Sequence, residues 1–209
     1  MRHVDRLVLF AGPPGSGKST TITNLQAGNL PLLSERLGIG NPFLWKCIEA
    51  RNLYKVRKLQ VERVIFHYDF LWQWKRELFH QGYKEDGALR ILDMSDEITF
   101  VTLWATPETL IRRLQLWRVS LRKFFLKPLN FHTALQRRRR FRVIRIVQRA
   151  RIVHRLYLDI PELLLQYDKW FKFCGMSGAK AHWIMDTTEN VPRLAHISKW
   201  PDVQCGLRK

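Results

Sequence analysis

The densest chemistry in the chain lies in eight consecutive residues, Gly12-Pro13-Pro14-Gly15-Ser16-Gly17-Lys18-Ser19. The glycines let backbone N–H groups converge on one point with no Cβ in the way. Lys18 adds a point charge on a flexible stem, and Ser19 adds a hydroxyl oxygen of the kind a hard divalent cation accepts. Thr20 follows with a second hydroxyl. The spacing G-x-x-x-x-G-K-[ST] suits a chain of phosphates, and it carries that meaning only between a buried strand and the start of a helix. Both flanks are present. Leu7-Val8-Leu9-Phe10 is a short apolar run of the parallel-strand type, and a helix is expected from Lys18 to Ala27, stopped by Gly28. The helix start adds unpaired donors and the positive end of its dipole. Gly12, Pro13, Pro14, Gly15, Ser16, Gly17, Lys18, Ser19 and Thr20 are therefore expected to hold the phosphates of a nucleotide, ATP with Mg2+.

A second candidate is Asp69, which closes the run Val64-Ile65-Phe66-His67-Tyr68. A carboxylate at the carboxyl end of a strand beside such a loop faces the usual ligand crevice. It suits either an acceptor hydroxyl or, with Ser19, a Mg2+ ion; a plain helix N-cap predicts the same residue. His67 shares its face of the strand and reads as a core histidine. Asp93 and Asp96 read as turn or cap residues.

The third feature is charge. Lys and Arg number 36 against 18 Asp and Glu, a net +18. Between Thr109 and Leu158 stand 15 Lys/Arg and no acid, which leaves 21 against 18 elsewhere. This is a nearly neutral protein with one cationic segment, which excludes a uniformly basic, histone-like chain. Arg137-Arg138-Arg139-Arg140-Phe141-Arg142 leads it, and on a helix Arg138, Arg142, Arg145 and Arg149 share a face. Forked guanidinium donors suit phosphate, sulfate or carboxylate. Three uses compete: a lid in which Arg138 and Arg142 neutralise a transferred phosphoryl group, a nucleic-acid surface, and an anionic-membrane contact anchored by Trp117, Phe124 and Phe125. A solvated helix face is the bland alternative.

These residues need a frame. Strands are expected at Leu7–Phe10, 61–68, Ile98–Trp104 and His182–Met185, with helices between them. Phe70–His80, Ala88–Met94 and part of Phe43–Leu59 are read as helical. Thr106-Pro107-Glu108 is a helix start, with Thr as cap and Pro at the first helical position. A long basic helix is expected from Ala134 to Leu158. Another runs from Asp159 to Gly175 with Leu164, Tyr167, Trp170 and Phe171 toward the core. Strands alternating with helices predict an α/β fold, a three-layer sandwich whose central parallel sheet has four or five strands, with a basic helical lid or appendage. The chain reads as one nucleotide-binding domain over 1–209, with 109–158 as an insert. Three scattered cysteines, Cys47, Cys174 and Cys205, argue against a disulfide framework. The same cysteine usage fits a reducing, cytoplasmic compartment, and no stretch approaches membrane-spanning length.

The eight-residue pattern is that of the P-loop, and over about residues 5–27 the chain resembles a P-loop NTPase. Its Pro-Pro-Gly-Ser-Gly-Lys-Ser-Thr wording is similar to small P-loop kinases. Phe100 to Leu114 resembles the strand and "x-Pro-Glu, Leu-x-x-Arg-Leu" passage before the lid of gluconate-, shikimate- and nucleoside-monophosphate-type kinases. Ile184-Met185-Asp186-Thr187-Thr188 looks like their last strand, whose outgoing loop passes near the adenine. The resemblance implies a phosphotransferase with Lys18, Asp69, Arg138 and Arg142 in catalytic roles, Ser19 and Asp69 at the metal, and an anionic small molecule or conjugate as acceptor. Two alternatives stand beside it: a sulfotransferase-like enzyme with a phosphosulfate donor, and a nucleotide-gated module for nucleic acid or anionic membrane. The third strand ends in Ala105-Thr106 with no acid, which leaves Asp69 as the best carboxylate.

Overall fold

A computed structural model describes residues 3–50, 63–70, 87–115, 154–189 and 193–196. The chain divides into two compact units, Met1–Trp104 with Gln166–Lys209, and Ala105–Leu165.

The first unit is built on one six-stranded sheet in the order β2-β3-β1-β4-β5-β6. Its strands are β1 (Val4–Ala11), β2 (Lys46–Glu49), β3 (Arg63–Tyr68), β4 (Ser95–Trp104), β5 (Ala181–Asp186) and β6 (Arg193–His196). β1 to β5 are parallel, and β6 pairs antiparallel with β5. β1, near the middle, is almost wholly apolar because it is covered on both faces. The chain crosses from β1 out to β2, returns through β3, then jumps over β1 to β4. Connections thus diverge on either side of β1, which makes its carboxyl end the switch point where α/β sheets bind ligands.

One face of the sheet offers Val8, Phe10, Ile65, Val101, Leu103 and Met185 to Ile22 and Leu25 of α1 (Lys18–Gln26) and to Leu33 of α2 (Pro31–Arg36). Helix α1 starts and stops where the sequence predicts, within a residue. Gly28 N donates to Leu25 O at 3.0 Å and Asn29 N to Asn24 O at 2.9 Å, the paired bonds that close a helix C-terminus. The opposite face packs on the second half of α4 (Ile160–Met176). There Trp170 is fully buried, stacked on Tyr68 at 5.3 Å and Phe70 at 5.6 Å and edge-on to Phe100 at 5.8 Å. Its Nε1 donates to Thr102 Oγ1 at 2.9 Å, and Thr102 Oγ1 lies 2.8 Å from His182 Nε2. Sheet and two helical layers make the expected α/β sandwich.

Three expectations change. Part of Phe43–Leu59 was expected to be helical; its described residues, 43–50, hold the end of a 3-10 turn (Pro42–Leu44) and then β2, and 51–59 lie outside the described residues. Four residues are too few for period to separate helix from strand, and pairing with β3 decides it. Ala88–Met94 is a 3-10 helix over Leu89–Met94. β6 has no counterpart in the sequence reading. Leu164 is only half-buried, whereas Tyr167, Trp170 and Phe171 are core residues. Phe70–His80 beyond Phe70 and the basic helix before 154 lie outside the described residues.

In the second unit, α3 begins at 107 and is helical through 115. Thr106 caps it: its Oγ1 accepts from Thr109 N at 3.4 Å, and its carbonyl accepts from Leu110 N at 2.9 Å. A short helical stretch at 154–158 leads to α4, where Asp159 Oδ1 accepts from Glu162 N at 3.1 Å as the expected cap. No helix among the described residues is long and apolar enough to cross a membrane.

Candidate active site

β1 ends at Ala11, so Gly12 opens the loop at the carboxyl edge of the sheet. A Cβ at Gly12 would stand 2.5 Å from Ser16 Oγ and 3.0 Å from Leu103 O. The loop can lie this close to β4 only through glycine. Ser16 N donates to Pro13 O at 3.1 Å, which closes a turn. Gly17 then turns the chain with φ of 93°, and α1 starts at Lys18. That positive φ at the helix entry is open to glycine and strained for other residues. Thr21 N donates to Gly17 O at 2.9 Å as the first bond of the helix.

The side chains of this loop turn back on its own backbone. Lys18 is 5% exposed, and its Nζ donates to Gly12 O at 2.7 Å and Pro13 O at 2.8 Å. The ammonium is thus folded across the loop mouth, on two neutral acceptors. A phosphate oxygen offers it a charged acceptor, and such bonds are about twice as strong. Ser16 is fully buried and its Oγ has no hydrogen-bond partner among the described residues. A buried hydroxyl without a partner costs about 1–3 kcal/mol. Ser19 and Thr20 are exposed on the first turn of α1. Pro14 and Gly15 form the tip of the turn.

Asp69 follows β3 directly. Tyr68, the last residue of β3, is in register with Ala11, the last of β1, so Asp69 and Gly12 both leave the sheet at its carboxyl edge. The residue is half-buried. Ser19 and Asp69 offer oxygen ligands, the set Mg2+ prefers. Arg138 and Arg142 lie outside the described residues.

Three residues join this sheet edge to which the sequence reading gave no site role. Asp186, at the end of β5, is in register with Trp104, and its Oδ1 accepts from Thr188 N at 2.8 Å. It supplies a carboxylate at the level where β4 has none. Between the carboxylates stands Tyr167, fully buried, whose hydroxyl donates to Leu103 O at 3.0 Å. Burial first, then the charges of Asp186 and Asp69, push its phenol well above the ordinary value. The third residue is Thr187, whose hydroxyl reaches Ser16 O at 2.7 Å. Its sequence signal is slight: an alcohol one residue past a strand that ends at the same sheet edge as the loop.

His67 is half-buried, in register with Phe10 and Glu49 within the sheet. Asp96 lies at the other end of the sheet, where exposed His3 pairs with it and with Asp5 at 3.5 Å. Asp93 is exposed in the 3-10 helix. No protein-family model and no curated protein matches the chain.

Proposed function

We propose that the protein is an ATP-dependent phosphotransferase acting on a hydroxyl of an anionic small molecule or conjugate. The observation that carries this reading is the loop Gly12–Ser19 at the carboxyl end of the central strand, with Lys18 folded back on Gly12 O and Pro13 O and the buried Ser16 hydroxyl without a partner among the described residues. Backbone N–H groups of the loop and of the first turn of α1 hold the β- and γ-phosphates. Lys18 leaves its two carbonyls for phosphate oxygens and stays on them as charge spreads over the transferred group. Asp69 orients the acceptor hydroxyl. The bond from acceptor oxygen to the γ-phosphorus forms, the bond from that phosphorus to the β-bridging oxygen breaks, and the hydroxyl proton passes to the Asp69 carboxylate. Ser19 is the residue that would hold Mg2+, which would supply charge neutralisation on the phosphates; Asp69 is its alternative carboxylate partner where another group takes the proton.

Calorimetric titration tests the reading. MgATP binds the wild-type chain, and Lys18→Ala loses turnover of ATP with its circular dichroism spectrum unchanged. A chain that binds no MgATP, or that prefers a phosphosulfate nucleotide to ATP, overturns it.

A further inference from the structure

Thr187 is the first residue beyond β5, and it is 5% exposed. Its backbone N–H donates to Trp104 O at 2.8 Å, carrying the β4–β5 ladder one step past the strand end. Its hydroxyl has one hydrogen to donate. Two carbonyls lie within reach, Ser16 O at 2.7 Å and Trp104 O at 2.9 Å. Trp104 O already receives the Thr187 N–H, and Ser16 O is the nearer, so the hydroxyl serves Ser16.

We propose that Thr187 is a positioning residue: its hydroxyl sets the orientation of the Ser16–Gly17 peptide and so aims the Gly17 N–H at the bound phosphate. The inference rests on the loop holding phosphate. A trans peptide is planar, with C=O and N–H on opposite sides. A Ser16 carbonyl held toward Thr187 therefore turns the Gly17 N–H away from Thr187. The peptides on either side are held locally, by Ser16 N on Pro13 O and by Thr21 N on Gly17 O. The middle one is held from 171 residues away in sequence. Contact is direct, through the 2.7 Å bond from the Thr187 hydroxyl to Ser16 O.

Thr187→Val keeps the shape and removes the hydroxyl; Thr187→Ser keeps the hydroxyl and removes the methyl. MgATP is titrated into the full chain, wild type and variants, below the melting temperature of each. The loss of one aimed hydrogen bond is expected to weaken MgATP binding about three- to tenfold in Thr187→Val, with Thr187→Ser within about twofold of wild type. A purely structural threonine would lower the melting temperature and leave the affinity of the folded protein alone. Wild-type affinity in Thr187→Val overturns the inference and spares the phosphate-loop reading. Equal weakening in both variants overturns it too, because the methyl and not the hydroxyl then matters. No MgATP binding by the wild type overturns both. Thr187→Ala, read the same way, replaces the valine variant should that one melt below the assay temperature.

Discussion

Tyr167 shows how one side chain links the core to the site. Its ring is buried against Phe70 and Trp104, while its hydroxyl sits at the carboxyl edge of the sheet under the influence of two acids. Burial and the Asp186 and Asp69 charges all disfavour the phenolate. The folded protein thus holds the proton more tightly than the unfolded chain does. Its contribution to stability is complete below the unfolded value of about 10 and is lost as pH rises toward the folded one. Cys174, fully buried with its thiol also pushed up by desolvation, adds to the same alkaline loss. Tyr167→Phe is expected to cost about 1 kcal/mol near neutral pH for the lost bond to Leu103 O. At alkaline pH that deficit should shrink, because the variant has no phenol to ionise. Unfolding free energies across the alkaline range check this; a deficit constant with pH contradicts it.

At the scale of elements, the second half of α4 is the wall on which one sheet face rests. Trp170 alone stacks on or abuts Tyr68, Phe70 and Phe100 and donates to Thr102. Trp170→Ala should cost about 3–5 kcal/mol, read as a lowered denaturant midpoint. Trp170→Phe should cost less, leaving Thr102 Oγ1 without the indole donor. A loss under 1 kcal/mol for Trp170→Ala, well outside the range for a buried tryptophan, would show that α4 does not brace the sheet. The sequence made much of this frame readable. β1, β3, β4 and β5 are apolar runs bounded by turns or acids, and α1 has a glycine stop. β2 and β6 were not readable, because each is four residues long and exists through its neighbour's hydrogen bonds. The site divides in the same way. Gly12 to Ser19 carries its meaning in local spacing, so it could be read directly. Thr187 and Asp186 acquire theirs from the β4–β5 register, which joins residues about 80 positions apart, and Tyr167 from the packing of α4 under Leu103, 64 positions away; neither leaves a periodic mark.

On the scale of the whole molecule, charge and topology set the remaining expectations. The acid-free stretch Thr109–Leu158 holds 15 of the 36 Lys/Arg, and the sheet that carries the loop holds little net charge. Arg138→Ala and Arg142→Ala are therefore expected to lower kcat by about tenfold or more while MgATP affinity changes little, the pattern of groups that act on the transferring phosphoryl. Steady-state kinetics with a competent acceptor decide it. An unchanged kcat, together with salt-sensitive binding to RNA or anionic vesicles, assigns these arginines to a partner surface instead. The sheet order has a consequence of another kind. Among the described residues its outer strands are β2 and β6, four residues each, while β4 inside runs to ten. A second copy approaching edge-on finds few backbone groups to pair with. Growth by strand addition is blunted at both borders, so concentrated solutions of the protein should resist fibrillation better than its long apolar inner strands suggest.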